Sequence, residues 1–94
     1  MTPLQRMRRA IREQSYRISS HANEEMAEDD LMAADIEQII QAGNIVQRFT
    51  KDSRGRRYAV LGNTVDGRQA YVVCRFLLSG VLLIITAYAA DKEE

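Results

Sequence analysis

Cysteine, histidine and proline occur once each in these 94 residues, tryptophan is absent and there are five glycines. The lone thiol, Cys74, can form no disulfide within the chain, and one Cys with one His makes no zinc ligand set. The expectation is a protein of the reducing cytoplasm with no metal and no cofactor. There is no glycine-rich phosphate loop and no nucleophile elbow. Residues 1–15 carry Arg6, Arg8, Arg9 and Arg12 but no apolar stretch of the kind a secretory leader needs. The run Phe76–Ala90 is broken by Ser79-Gly80 and falls short of the roughly 20 apolar residues that cross a bilayer. It reads as core, and no membrane partner is expected. No repeat, linker or low-complexity segment is present.

What is there is an ordinary globular composition, 46% hydrophobic and 28% charged, enough for one domain over residues 1–94. The formal charge is zero, but it is sorted along the chain. Residues 1–20 carry a net +4, residues 21–42 a net −7 with no Lys or Arg, residues 43–90 a net +5 and the tail 91–94 a net −2. Such sorting creates local potentials that the overall balance conceals.

Thr2-Pro3 reads as a helix start, with Thr2 as the cap and Pro3 at the first helical position. Leu4, Met7, Ala10 and Ile11 then mark one apolar face of a helix within residues 1–15. Its arginine face reads as solvated or phosphate-contacting. Tyr16–Ser19 is a short candidate edge strand. Ser20 can cap a helix from Ala22 to about Glu28, and a second helix follows over Ala33–Ala42, entered by a Leu31-Met32 staple and stopped by Gly43. All seven acids are expected on the outer faces of these two helices.

From Asn44 the period changes. Ile45–Thr50 and Arg56–Asn63 read as strands around the polar loop Lys51–Gly55, and Asp66-Gly67 marks a hairpin with a type I′ turn. The strongest stretch is Ala70–Ala90, two strands over about Ala70–Leu78 and Val81–Ala89 joined at Ser79-Gly80. Alternation places Val72, Cys74 and Phe76 with Leu83, Ile85 and Ala87 on a wholly apolar face. It places Tyr71, Val73 and Arg75 with Leu82, Ile84, Thr86 and Tyr88 on a mixed one. An apolar sheet face requires helices to cover it. The expected fold is therefore α+β, order αβααββββ: an antiparallel four-stranded meander, with Tyr16–Ser19 as an extra N-terminal edge strand, packed against helices on one face. Residues 16–90 form the body and 91–94 a frayed tail.

Chemistry is sought on the mixed face. His21, the one histidine, is the side-chain type suited to acid–base work, and Glu24 and Glu25, three and four residues on, are within reach of it on one helix face. Arginine forks bind phosphates, and phenols stack on bases or move protons. Arg57, Arg75 and Tyr88 join His21 as candidate catalytic residues, and Arg48, Arg56, Tyr58, Tyr71 and Thr86 as candidate RNA contacts. Each also has a plain reading, as a capping histidine, solvated arginines and cross-strand packing. Gly62 reads as a bulge or a close backbone approach.

Ile18-Ser19-Ser20-His21-Ala22, Glu25-Met26, Asp29-Asp30-Leu31, Asp35-Ile36, Gly43, Arg57-Tyr58, Gly62, Asp66-Gly67 and Ile85-Thr86-Ala87-Tyr88 together resemble a small prokaryotic family labelled domain of unknown function 4258. That family is similar to RelE/BrnT-type toxins, often encoded beside a YgiT-type (MqsA-like) zinc-finger antitoxin. The resemblance covers roughly residues 16–90. It implies a RelE-like fold, a cytoplasmic mRNA-cleaving toxin role, an antitoxin partner and functional positions at His21, Arg57, Tyr58, Thr86 and Tyr88. The chain departs from the toxin group at Asp29-Asp30, where many relatives carry an arginine.

The leading expectation is a metal-independent endoribonuclease acting on mRNA as the toxin of a type II toxin–antitoxin pair. The alternative is a non-catalytic module that binds a partner protein, or itself as a homodimer, through the sheet and the acidic helices.

Overall fold

In the computed structural model, residues 1–51 and 53–92 are described; Asp52, in the polar loop, and Glu93-Glu94, in the expected tail, lie outside them. The elements are α1 (Pro3–Arg12), β1 (Tyr16–Ile18), α2 (Ser20–Glu28), α3 (Ala33–Ala42), β2 (Asn44–Phe49), β3 (Arg57–Asn63), β4 (Gln69–Phe76) and β5 (Leu82–Ala89), then a 3₁₀ turn at Ala90–Lys92. The fold class is α+β. The sheet contains the expected antiparallel four-stranded meander, β2 to β5, with Tyr16–Ile18 added at its edge. It has five strands in the order β1-β5-β4-β3-β2, and β1 lies parallel to β5. A parallel neighbour needs a crossover, and here the whole of α2 through β4 supplies it.

α1 begins as its sequence dictates. Thr2 Oγ1 accepts from Gln5 N at 3.1 Å and Gln5 Oε1 accepts from Thr2 N at 2.8 Å, a closed capping box. Met7, Ala10 and Ile11 are buried. The opposite face is not simply solvated: the Arg8 guanidinium donates to Ile40 O at 3.2 Å and Gly43 O at 3.0 Å. It satisfies carbonyls at the end of α3, where a cation also opposes the helix dipole.

All three helices lie against one sheet face. Met7, Ile36, Ile39, Ile40, Val60, Val72, Cys74, Leu82 and Ile84 are fully enclosed there. Burial pushes the Cys74 thiol up to about 12, so it stays protonated inside the core. α3 approaches β3 at two glycines. A Cβ on Gly43 would stand 2.5 Å from both Ile39 O and Leu61 O, and one on Gly62 would stand 3.1 Å from Gly43 Cα. Gly43 has φ −86°, so the position requires glycine for space and not for a left-handed turn.

Not all seven acids point outward. Asp29 and Asp35 are each 7% exposed. Asp35 accepts from Met32 N at 2.8 Å, capping α3, and from Val65 N at 2.9 Å, pinning the β3–β4 turn. That turn is not type I′ either. Gly67 N donates to Thr64 O at 3.0 Å, and Gly67 alone has positive φ, +89°, so a type I turn ends in a glycine bulge. Thr64 and Arg68 hydrogen bonds hold the Asp66 carboxyl below the usual carboxylate range. Replacing Asp35 by Ala strands two backbone N–H groups, one of them a helix cap, and should cost about 2–4 kcal/mol in urea denaturation. A cost under about 0.5 kcal/mol, the range of surface substitutions, would contradict this account of Asp35.

Candidate functional site

The face opposite the helices is organised in transverse rows set by the strand register. One row runs Phe49 (β2), Arg57 (β3), Arg75 (β4), Leu83 (β5) and Arg17 (β1). Arg57 and Arg75 meet one step beyond the Tyr58–Cys74 pair. The middle row is Gln47, Ala59, Val73 and Thr86. The third is Leu61, Tyr71 and Tyr88. Ala59 and Val73 face away from the helices yet are only 6% and 8% exposed. Rows two residues apart along a strand lie roughly 6.6 Å apart. A basic row and an aromatic row therefore border a floor of small residues.

One irregularity decides which side chains share this face. Cys74 pairs with Ile84 but Val73 with Thr86, so Ile85 is an extra, bulged residue. The bulge shifts the parity of β5. Leu82 and Ile84 go beneath the helices and Leu83 comes out, the reverse of strict alternation. Tyr71, Val73, Arg75, Thr86 and Tyr88 do share the open face. The carbonyl that the bulge frees, Ile85 O, accepts from Ser19 Oγ at 2.9 Å. Ser19 also caps α2, accepting from Ala22 N at 3.0 Å, and its own N–H donates to Ile84 O at 3.0 Å. One serine thus fixes the start of α2 against β5.

That anchoring places His21 at the edge of the open face. Its Nε2 lies 2.5 Å from Glu25 Oε1, and Thr86 Oγ1 donates to the same oxygen at 2.6 Å. The imidazole side chain is 66% exposed and that of Glu25 28%. With Nε2 held, Nδ1 is the ring nitrogen left to meet a ligand. The Thr86 proton is committed to Glu25, so toward a ligand this hydroxyl can only accept. Of the two acids within reach of His21 by sequence spacing, the helix selects Glu25.

Arg75 Nε is enclosed and has no hydrogen-bond partner, and a buried guanidinium donor without an acceptor is costly. Arg57 stacks on Phe49, 4.8 Å from guanidinium carbon to ring centre. The Tyr71 and Tyr88 rings pack with centroids 5.4 Å apart and planes tilted by 31°. Arg48 and Arg56 are exposed, and Arg48 borders a recess of about 400 Å³ with Phe49, Lys51 and Arg57. Tyr58 is elsewhere. It is 8% exposed within the helix-side core, because it precedes Ala59 by one step on β3 and so points through the other face. It offers no surface to RNA.

Sequence reasoning missed Phe49 as the support of Arg57. It also missed that much of the signature is architectural. Asp29 Oδ2 accepts from Ala89 N at 2.8 Å, tying α2 to the end of β5. Asp30 takes φ +55°, and its carbonyl accepts from Arg68 at 2.9 Å. The two acids that stand where the toxin group has an arginine therefore close the fold. No group of three or more His, Cys, Asp or Glu able to hold a metal occurs among the described residues. None of the described helices is long and apolar enough to cross a membrane, and Phe76–Ala90 is strand and turn.

The molecule is thus a small α+β domain with one face of a mixed sheet left uncovered and a histidine–glutamate–threonine linkage at its edge. Residues 18–89 match the family model described as domain of unknown function DUF4258, and the chain belongs to that family. No curated protein and no solved structure matches it.

Proposed function

We propose that this protein is a RelE-like endoribonuclease, the toxin of a toxin–antitoxin pair, and that it cleaves single-stranded mRNA on its open sheet face without a metal. The observation that carries the reading is the convergence on one uncovered face of an arginine row, a packed tyrosine pair and the His21–Glu25–Thr86 linkage. Each supplies a part that RNA cleavage needs. Tyr71 and Tyr88 give a platform for an unstacked base, which is how proteins hold single-stranded RNA. Arg57 and Arg75 neutralise phosphate through their guanidinium forks.

The reaction is attack of a ribose 2′-oxygen on the adjacent phosphorus. A P–O2′ bond forms and the P–O5′ bond breaks. His21 serves as the acid or base, with the 2′ proton removed and a proton delivered to the departing 5′-oxygen. The products are a 2′,3′-cyclic phosphate and a 5′-hydroxyl. Arg57 and Arg75 stabilise the extra negative charge of the pentavalent phosphorus, an electrostatic task. The partner is an antitoxin, a zinc-finger protein in the reading the family resemblance suggested, and it would cover this basic face.

The test is incubation of the purified protein, in chelator, with an mRNA and with DNA of the same sequence. Cleavage of RNA alone, leaving cyclic phosphate ends, is the expected result. Arg75→Ala should lower the rate by about 10²–10³, the usual effect of removing one transition-state donor. Equal cutting of DNA, or no cutting of any mRNA by folded protein, would overturn the reading.

A further inference from the structure

Among the described residues the exposed large apolar side chains are Met1, Met32, Val46, Val65 and Leu78. Four of the five gather at the two ends of the molecule. Leu78, fully exposed, tips the β4–β5 hairpin, and Met1 borders a recess against Phe76 and Gly80 at the same end. Met32 and Val65, each 69% exposed, line a recess of about 340 Å³ at the other end, where the α2–α3 junction meets the β3–β4 turn. The length of β4 separates the two ends.

Their charges are opposite. Beside Leu78 lie Arg54 and Arg75, around a second recess, and Arg6, whose guanidinium carbon stands 4.1 Å above the Phe76 ring. Around Met32 and Val65 lie Asp30 and Asp66. Among the described residues lining that recess the cation is Arg68, which pairs with Asp66 and donates to the carbonyls of Asp29 and Asp30. An apolar tip within arginines at one end thus faces an apolar recess within aspartates at the other. Such a pair cannot meet within one molecule.

We infer that a second copy of this chain is the occupant: the Leu78 hairpin of one molecule enters the Met32–Val65 recess of the next, with arginines meeting Asp30. The contact is head-to-tail. It uses two different surfaces, so each molecule keeps one free end, and association continues into short chains and does not stop at a symmetric pair. It depends on charge and is screened by salt. Leu78 and Met32 lie outside the proposed catalytic row, but Arg75 borders both that row and the Leu78 recess, so the test reads association and not cleavage.

Sedimentation velocity tests it. For the wild-type chain the sedimentation coefficient should rise with protein concentration in low salt, and the rise should shrink in 0.5 M salt, where screening acts within roughly 4–5 Å. Leu78→Asp and Met32→Lys change exposed side chains and should keep the wild-type Tm. Each alone should be monomeric. Mixed, they should form a dimer and nothing larger, because one retains the recess and the other the tip. A wild-type monomer at every concentration, a mixture that stays monomeric, or a single variant that still dimerises would each overturn the inference. The first of these outcomes would leave the two ends to a partner of different sequence.

Discussion

His21→Ala should lower the rate of RNA cleavage by about 10²–10⁴, the usual worth of a positioned acid or base, while RNA affinity changes only a few-fold. Folding should be untouched, because the imidazole is 66% exposed. Glu25 separates a placed histidine from a merely exposed one. Its Oε1 takes both His21 Nε2 and the Thr86 hydroxyl, so Glu25→Gln removes the charge that orients the ring while keeping the size of the side chain. The expected loss is smaller, about tenfold or more, as for other partners that orient a catalytic histidine. Thr86→Val deletes the hydroxyl at nearly constant volume and should lie between wild type and Glu25→Gln. Single-turnover cleavage of a defined RNA, with Kd measured in parallel, distinguishes rate from binding. If His21→Ala cuts at the wild-type rate, the acid–base assignment is wrong even if the arginines prove essential.

Gly43→Ala should be the most destabilising single methyl in the chain. The added carbon would lie 2.5 Å from two backbone oxygens, Ile39 O and Leu61 O, and neither can swing away as a side-chain tip could. Relief requires α3 to lift off β3, the pairing that also carries Ile36, Ile39 and Ile40 into the core. Overpacking ordinarily costs 1–3 kcal/mol and occasionally more, so about 3 kcal/mol or more is expected here. For a domain of this size that is a large part of a total stability of roughly 5–14 kcal/mol. Tm should fall by roughly 12–24 °C. Gly62→Ala, whose contacts begin at 3.0 Å, should cost less. Chemical denaturation of both variants checks the order. A Gly43→Ala protein within 1 kcal/mol of wild type would mean that the α3–β3 approach is looser than described.

α1 and α3 were legible because each carries its own punctuation, Thr2-Pro3 before α1 and Gly43 after α3, whereas α2 is capped by Ser19 and not by the expected Ser20. The grouping of Tyr71, Arg75, Thr86 and Tyr88 was legible too, from period two and the register across a short hairpin. What was not legible rests on distant partners. The bulge at Ile85 has no local mark, since its freed carbonyl is met by Ser19, 66 positions earlier. Strict alternation therefore sent Leu82 and Ile84 to the wrong face. The parallel pairing of β1 likewise depends on how α2 packs on β5. Asp35 looks like any acid in the first turn of a helix until the β3–β4 turn brings Val65 N to it. Tyr58 and Arg57 are neighbours in sequence, and the pleat sends one into the core and the other to the open face.

The pairing of Tyr16–Ile18 with Leu82–Ile84 has a consequence for synthesis. The first strand of this sheet to be made is completed by the last of the same sheet. While residues 1–75 are emerging, β1 has no neighbour, α2 has no strand beneath it, and Ser19 has no carbonyl to hold. A nascent or truncated chain ending before Leu82 therefore lacks the arrangement around His21 altogether. Closing so long a loop is slow compared with local helix formation. Any function housed at that histidine waits until residues 82–89 have been made and docked.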